Sequence, residues 1–130
     1  MIEQTALVVT QWHYDPPINT MDEGVKISSF IDLDVMKKRA STKKGIACRF
    51  SCRFVISDET ILEYVAEDSY VIDFADIIDK NELIAMIRNS YSKFKENFDL
   101  RKLGTVLQNK SLVALNESRI DLDAILPMLK

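Results

Sequence analysis

From Val25 to Phe74 the chain alternates apolar and polar positions with a period of two, in three long runs, and at Asp79 the period changes. The first of these runs sets Val25, Ile27, Ser29, Ile31, Leu33 and Val35 on one side, with Lys26, Ser28, Phe30, Asp32, Asp34 and Met36 on the other. The next opposes Ile46, Cys48, Phe50, Cys52, Phe54 and Ile56 to Ala47, Arg49, Ser51, Arg53, Val55 and Ser57. The last, about Ile61 to Phe74, carries Leu62, Tyr64, Ala66, Tyr70, Ile72 and Phe74 on one face, interrupted by Asp68. Side chains alternate across a pleated strand, so each run has one face for a core and one largely for water. Sheets with one solvated face are antiparallel. The last run is much longer than an average strand, which predicts a bend or bulge at Glu67-Asp68-Ser69.

A shorter run, Thr5 to Tyr14, precedes them: apolar at Ala6, Leu7, Val8 and Val9, then aromatic at Trp12 and Tyr14. Asp15-Pro16-Pro17 ends it, because proline donates nothing to a ladder. A loop through Asn19, Asp22 and Gly24 follows. The basic stretch from Lys37 to Gly45 reads as a hairpin connection, and Ser57-Asp58-Glu59-Thr60 as a tight turn.

Asp79-x-x-Glu82 is a capping-box pattern with aspartate in the place of Ser or Thr, predicting a helix from about Lys80. Leu83, Ile87, Tyr91, Phe94 and Phe98 form one apolar stripe, widened by Ile84 and Met86. Gly104 is the expected stop. A second helical segment is expected over Val106 to Leu115, and a last turn capped by Asp121 and stopped by Pro127. The predicted fold is α+β: a four-stranded antiparallel sheet, then a long helix and a short C-terminal helix packed on one face. The 130 residues read as a single domain, 1–130.

Composition narrows the function. Charged residues at 28% and hydrophobic ones at 47% are ordinary globular values. A net charge of -3 argues against a nucleic-acid binder held by bulk electrostatics. The basic cluster of Lys37, Lys38, Arg39, Lys43 and Lys44 has no interleaved aromatics for base stacking and reads as a solvated hairpin tip. No apolar run approaches the roughly 18 residues that span a bilayer, and the N-terminus lacks a signal-peptide pattern, so a cytoplasmic protein is expected. Cys48 and Cys52 would lie roughly 13 Å apart along one strand, too far for a disulfide or a shared metal, and read as buried reduced thiols.

Catalytic chemistry is absent from the pattern. The three glycines are scattered, and His13 is the only histidine, which excludes a triad or a multi-histidine metal site. Asp32 and Asp34 share a strand face about 7 Å apart, without an accompanying metal ligand or electrophile. Asp121 and Asp123 suit a helix start. No enzyme, cofactor or metal is expected. The unusual feature is the apolar supply: Trp12, Tyr14, Phe30, Met36, Val55 and Ile61 fall at strand ends or on faces opposite the core runs. They are either ordinary surface scatter with partial cover by the C-terminal segment, or a face that packs on a second subunit or partner.

Several stretches resemble the family of the export chaperone SecB and its SecB-like relatives. Trp12-His13-Tyr14-Asp15-Pro16-Pro17 is similar to the aromatic-acid-proline element that ends that family's first strand. Leu62-Glu63-Tyr64-Val65 through Ser69-Tyr70-Val71-Ile72 is similar to its last strand, and Ile120-Asp121-Leu122-Asp123-Ala124-Ile125-Leu126 to its closing amphipathic helix. Where the family has a Gly-aromatic/Leu-Pro-Pro stretch, this chain has Gly104-Thr105-Val106-Leu107. The family's acidic contacts to the export ATPase are not matched residue by residue, although Asp32, Asp34, Glu63 and Glu67 lie on suitable strands. A divergent relative without an export role, such as the chaperones of toxin–antitoxin systems, therefore fits better. The resemblance implies an ATP-independent holdase that binds unfolded or partly folded polypeptide in apolar grooves between sheet and helix. It also implies a homo-oligomer, a dimer or a dimer of dimers. Trp12 and Tyr14 are the aromatics expected nearest such a groove. The alternative is a non-enzymatic adaptor that recognises one specific folded partner.

Overall fold

The computed structural model describes residues 3–16, 27–39, 43–73 and 77–129. The expected positions Pro17, Val25, Lys26 and Phe74, the loop through Asn19, Asp22 and Gly24, and Ser41 and Thr42 of the basic hairpin lie outside them. The strands are β1 (Glu3–Gln4), β2 (Val8–Tyr14), β3 (Ile27–Arg39), β4 (Lys43–Ile56) and β5 (Glu59–Asp73). A long helix α1 (Lys80–Arg101), a 3-10 turn (Glu117–Arg119) and a short helix α2 (Leu122–Met128) follow. β3, β4 and β5 form an antiparallel meander, and both β1 and β2 pair with the remaining edge of β5. The first strand, in two pieces, thus lies beside the last, a Greek-key order. The α+β architecture read from the sequence is the one observed.

The inward face of β4 matches its alternation: Ile46, Cys48, Phe50, Cys52, Phe54 and Ile56 are all buried. Ser57 and Asp58 turn that strand into β5 with φ values of 49° and 65°, the left-handed pair of a two-residue hairpin. Two irregularities adjust the register, and neither is at Glu67-Asp68-Ser69, where the ladder to Arg49, Cys48 and Ala47 is continuous. One makes Ile61 an extra residue between Thr60 and Leu62, so that Ile61 and Leu62 are both buried. The other makes Thr10 extra between Val9 and Gln11. Before it Val9 opposes Ala66; after it Trp12 opposes Tyr64 and Tyr14 opposes Leu62, all on the core side. A bulge shifts alternation by one residue, which is why β2 shows no single apolar face in the sequence.

Asp79 caps α1, its Oδ1 accepting from Glu82 N at 2.8 Å. Leu83, Ile87, Tyr91, Phe94 and Phe98 are buried against β4 and β5. The helix ends at Arg101, and Gly104 takes φ 81° in the turn beyond it. The expected helix over Val106 to Leu115 does not form: a turn through 106–109 gives way to irregular chain. Only Leu107 and Leu112 of that stretch are buried, and two apolar anchors with diluting polar residues do not make a helical stripe. Asp121 caps α2 by accepting from Ala124 N at 3.1 Å, but Pro127 sits inside the helix, which runs one residue further, to Met128.

Candidate functional site

β3 pairs only with β4 among the described residues, so no described strand covers its other edge. Its inward face, Ile31 and Leu33, is only half-buried, because α1 lies over β4 and β5 and does not reach this edge. The chain from Val113 to Met128 runs along the far side and leaves a groove of about 850 Å³ between. Ile31, Leu33, Val35, Phe50 and Tyr91 form its floor. Val113, Leu115, Ile120, Ile125 and Met128 form the opposite wall, and Val113 and Met128 remain 58% and 53% exposed. Charges stand at the rim: Asp32, Asp34 and Asp121, with Arg53 and Arg119. An extended apolar polypeptide would find here a strand edge that no described strand covers, beside an apolar trough.

The wall is held by polar tethers. The Tyr91 hydroxyl donates to the Val113 carbonyl. Arg88 makes a bidentate pair with Glu117, whose carboxyl is held below its ordinary pKa by that hydrogen bond. Lys80 pairs with Asp123 at 2.6 Å. At the far end the buried Lys44 Nζ donates to the Leu129 carbonyl at 2.9 Å.

Trp12 and Tyr14 lie at the other edge of the sheet. Trp12 packs edge-on against Tyr64, ring centroids 5.4 Å apart, and beneath the Arg101 guanidinium. The Tyr14 hydroxyl accepts from Val106 N at 3.0 Å. Both are half-buried, and neither lines the groove. Near them the side chains of Leu100 and Leu103 are 72% and 63% exposed, at the end of α1 that packs on Trp12. Sequence reasoning missed the groove wall, since its apolar residues follow no period; the only signal was that Leu112 to Leu129 holds more apolar residues than one short helix can bury.

The remaining candidates separate. Asp32, Asp34 and His13 are exposed. On the outer face Arg53 stacks over Phe30 at 4.9 Å, and Arg49 Nε meets Glu67 Oε1 at 2.9 Å. Cys48 and Cys52 are free and buried; burial pushes their thiols up to about 11 and about 12. Asp68, fully buried, accepts from Gln4 Nε2 at 2.6 Å and from Ser90 Oγ at 2.7 Å, with Lys93 Nζ at 3.5 Å. This network ties β1 and β5 to α1, since Gln4 Oε1 also accepts from Asn89 at 2.9 Å. Among the described residues no cluster of His, Cys, Asp or Glu is arranged to hold a metal ion. No helix among them is long and apolar enough to cross a membrane.

Comparisons with known proteins place the fold. The chain matches no protein-family model and no curated protein sequence. It is similar to a solved SecB-like chaperone of Mycobacterium tuberculosis in complex with a ChAD peptide from the HigA1 antitoxin, with a TM-score of 0.58 and 9% identity. That match covers 88% of this chain and 90% of the other. A protein of unknown function from Streptococcus agalactiae aligns with a TM-score of 0.47 and 14% identity, over 89% of this chain and 97% of that one. The fold is therefore SecB-like, in a divergent sequence.

Proposed function

We propose that this protein is an ATP-independent, non-enzymatic chaperone of the cytoplasm that holds unfolded or partly folded polypeptide in the groove between β3 and the C-terminal segment. The observation that carries the reading is the edge of β3, covered by no described strand, running beside that apolar groove. An extended client gains ladder hydrogen bonds on the edge and buries alternate side chains against Ile31, Leu33 and Val35. Its ordering entropy offsets part of that gain, which suits modest affinity for many clients. The likeness of fold to a chaperone solved with a bound peptide supports the same reading. Trp12 and Tyr14, with the exposed Leu100 and Leu103 beside them, are proposed as a secondary contact at the opposite edge. The outer edge of β2 there, which no described strand covers, also supports assembly into at least a dimer.

Light scattering after size exclusion and suppression of aggregation of two unrelated denatured proteins test the proposal together. The expected result is an oligomer that protects both clients, and a Val113→Asp variant that folds normally but protects neither. A wild-type monomer that protects neither client would overturn the holdase reading. It would leave an adaptor for one folded partner, which the exposed Phe30–Arg53 stack on the outer face favours.

A further inference from the structure

The strand register orders the outer face of the sheet in rows. One row runs Phe30–Arg53–Glu63–His13 across β3, β4, β5 and β2, and the next runs Asp32–Ser51–Val65–Gln11. Beyond it stands the row of Asp34, Arg49 and Glu67. Side chains at paired positions share a face, and these lie opposite the core side of Phe50 and Tyr64. α1 and the C-terminal chain are both on that core side, so no described element covers the outer one. The middle row is low. Ser51 and Val65 are short, longer side chains flank them, and a hollow of about 240 Å³ is left between. Beside the hollow rises the Phe30–Arg53 stack, with the guanidinium 4.9 Å from the ring centroid and Phe30 49% exposed. Charge on this face is incomplete. Arg49 pairs with Glu67 and Glu63 accepts from Gln11, whereas neither Arg53 nor Asp32 has an ion-pair partner among the described residues.

A knob and a hollow side by side, carrying opposite unpaired charges, fit a second copy of the same surface. We propose that the outer face pairs with itself across a two-fold axis lying between the Phe30–Arg53 and Asp32–Ser51 rows. Each copy then seats its Phe30–Arg53 stack in the hollow of the other and brings Arg53 to Asp32 of the second copy. Charge selects this axis. Moved onto either row, it would stack Arg53 on Arg53 or Asp32 on Asp32, and moved a whole row towards Arg49 it would stack Asp32 on Asp34. Where it lies, Arg49 and Glu67 meet Val55 and Thr60 of the second copy, and no like charges oppose. Four strands about 4.8 Å apart and about ten residues long present roughly 600 Å², close to the ~800 Å² per partner of a specific complex. An aromatic ring and an arginine at the centre are the side chains that dominate such contacts. The pairing is separate from the outer edge of β2, and it leaves the groove on the core side open in both copies.

Sedimentation velocity over a concentration series, without any client, tests the pairing. Arg53→Asp and Asp32→Arg each set like charges across the axis, and each should weaken this association step at least about tenfold. Mixed in equal amounts, the two variants should associate as the wild type does, because each meets the opposite charge on the other. No effect within one chain can produce that rescue. Ser51→Tyr fills the hollow without changing charge and should weaken the same step. Arg53 and Asp32 are exposed and Ser51 is half-buried on the uncovered face, so urea midpoints near that of the wild type should show all three variants folded. Association that none of the variants alters would put the contact on another surface and overturn the pairing. So would two charge variants that stay apart when mixed, or a wild-type protein that is monomeric throughout the series. Suppression of client aggregation decides the holdase reading separately, and that reading can stand while the pairing fails.

Discussion

Tyr64 of β5 stacks face to face on Phe94 of α1, with ring centroids 4.2 Å apart and planes within 6° of parallel. Its hydroxyl, 3.1 Å from both the Phe94 carbonyl and Asn97 Oδ1, satisfies itself on the same helix. Burial raises its pKa. One side chain therefore joins sheet to helix by both packing and a hydrogen bond. Tyr64→Phe keeps the stack and should cost about 1 kcal/mol in urea denaturation. Tyr64→Ala should cost on the order of 4 kcal/mol.

Phe50 and Phe54 face α1 from β4, whereas Arg49 and Arg53 face outwards. Phe→Ala at either should cost roughly 3–5 kcal/mol and reduce soluble yield. Arg53→Ala loses an exposed cation–π contact with Phe30 and should cost less than about 1 kcal/mol in the monomer. Denaturation midpoints of the three variants compare the two faces directly; damage confined to Arg53→Ala would contradict this register.

Asp68→Leu keeps the branching of Asp, with added bulk, and removes the acceptor shared by Gln4, Ser90 and Lys93. Each donor keeps a second partner, Tyr70 for Gln4 and Ser90 and the Thr5 carbonyl for Lys93, so losing the shared carboxylate should cost on the order of 2 kcal/mol, with Asp68→Asn milder because an oxygen remains. Hydrogen exchange should rise first at β1, whose two-residue pairing with β5 leans on this network.

Stability should fall above about pH 9. The thiols of Cys48 and Cys52 rise from 9.0 in the unfolded reference to about 11 and about 12 in the fold, chiefly through burial. Tyr91 rises from 10.0 to about 12 for the same first reason. Above the unfolded values the unfolded chain binds fewer protons than the native one, so stability is full below pH 9 and is lost as pH climbs towards 12. Urea midpoints at about pH 8 and pH 10.5 read this, and Cys48→Ala/Cys52→Ala should flatten part of the slope. A thiol reagent at neutral pH should likewise label neither cysteine until the protein is unfolded.

The alternation of Cys48 to Ile56, the stripe from Leu83 to Phe98 and the cap at Asp79 were legible because each depends on neighbours within a few residues. A two-residue or a 3.6-residue period carries its own statement of which side is apolar. The α+β class followed from their order alone. What the local pattern could not contain was settled by partners distant in sequence. Trp12 and Tyr14 belong to the core side only because a bulge at Thr10 shifts β2 against β5, a feature of pairing across more than fifty residues. Asp68 is tolerated inside because Gln4 of β1 and Ser90 and Lys93 of α1 converge on it from two other segments. The stretch after Gly104 yields its expected helix to anchors at Leu107 and Leu112, since packing outweighs a weak propensity. The groove exists for the same reason: one helix covers β4 and β5, the sheet extends one strand further, and the aperiodic C-terminal chain borders what remains.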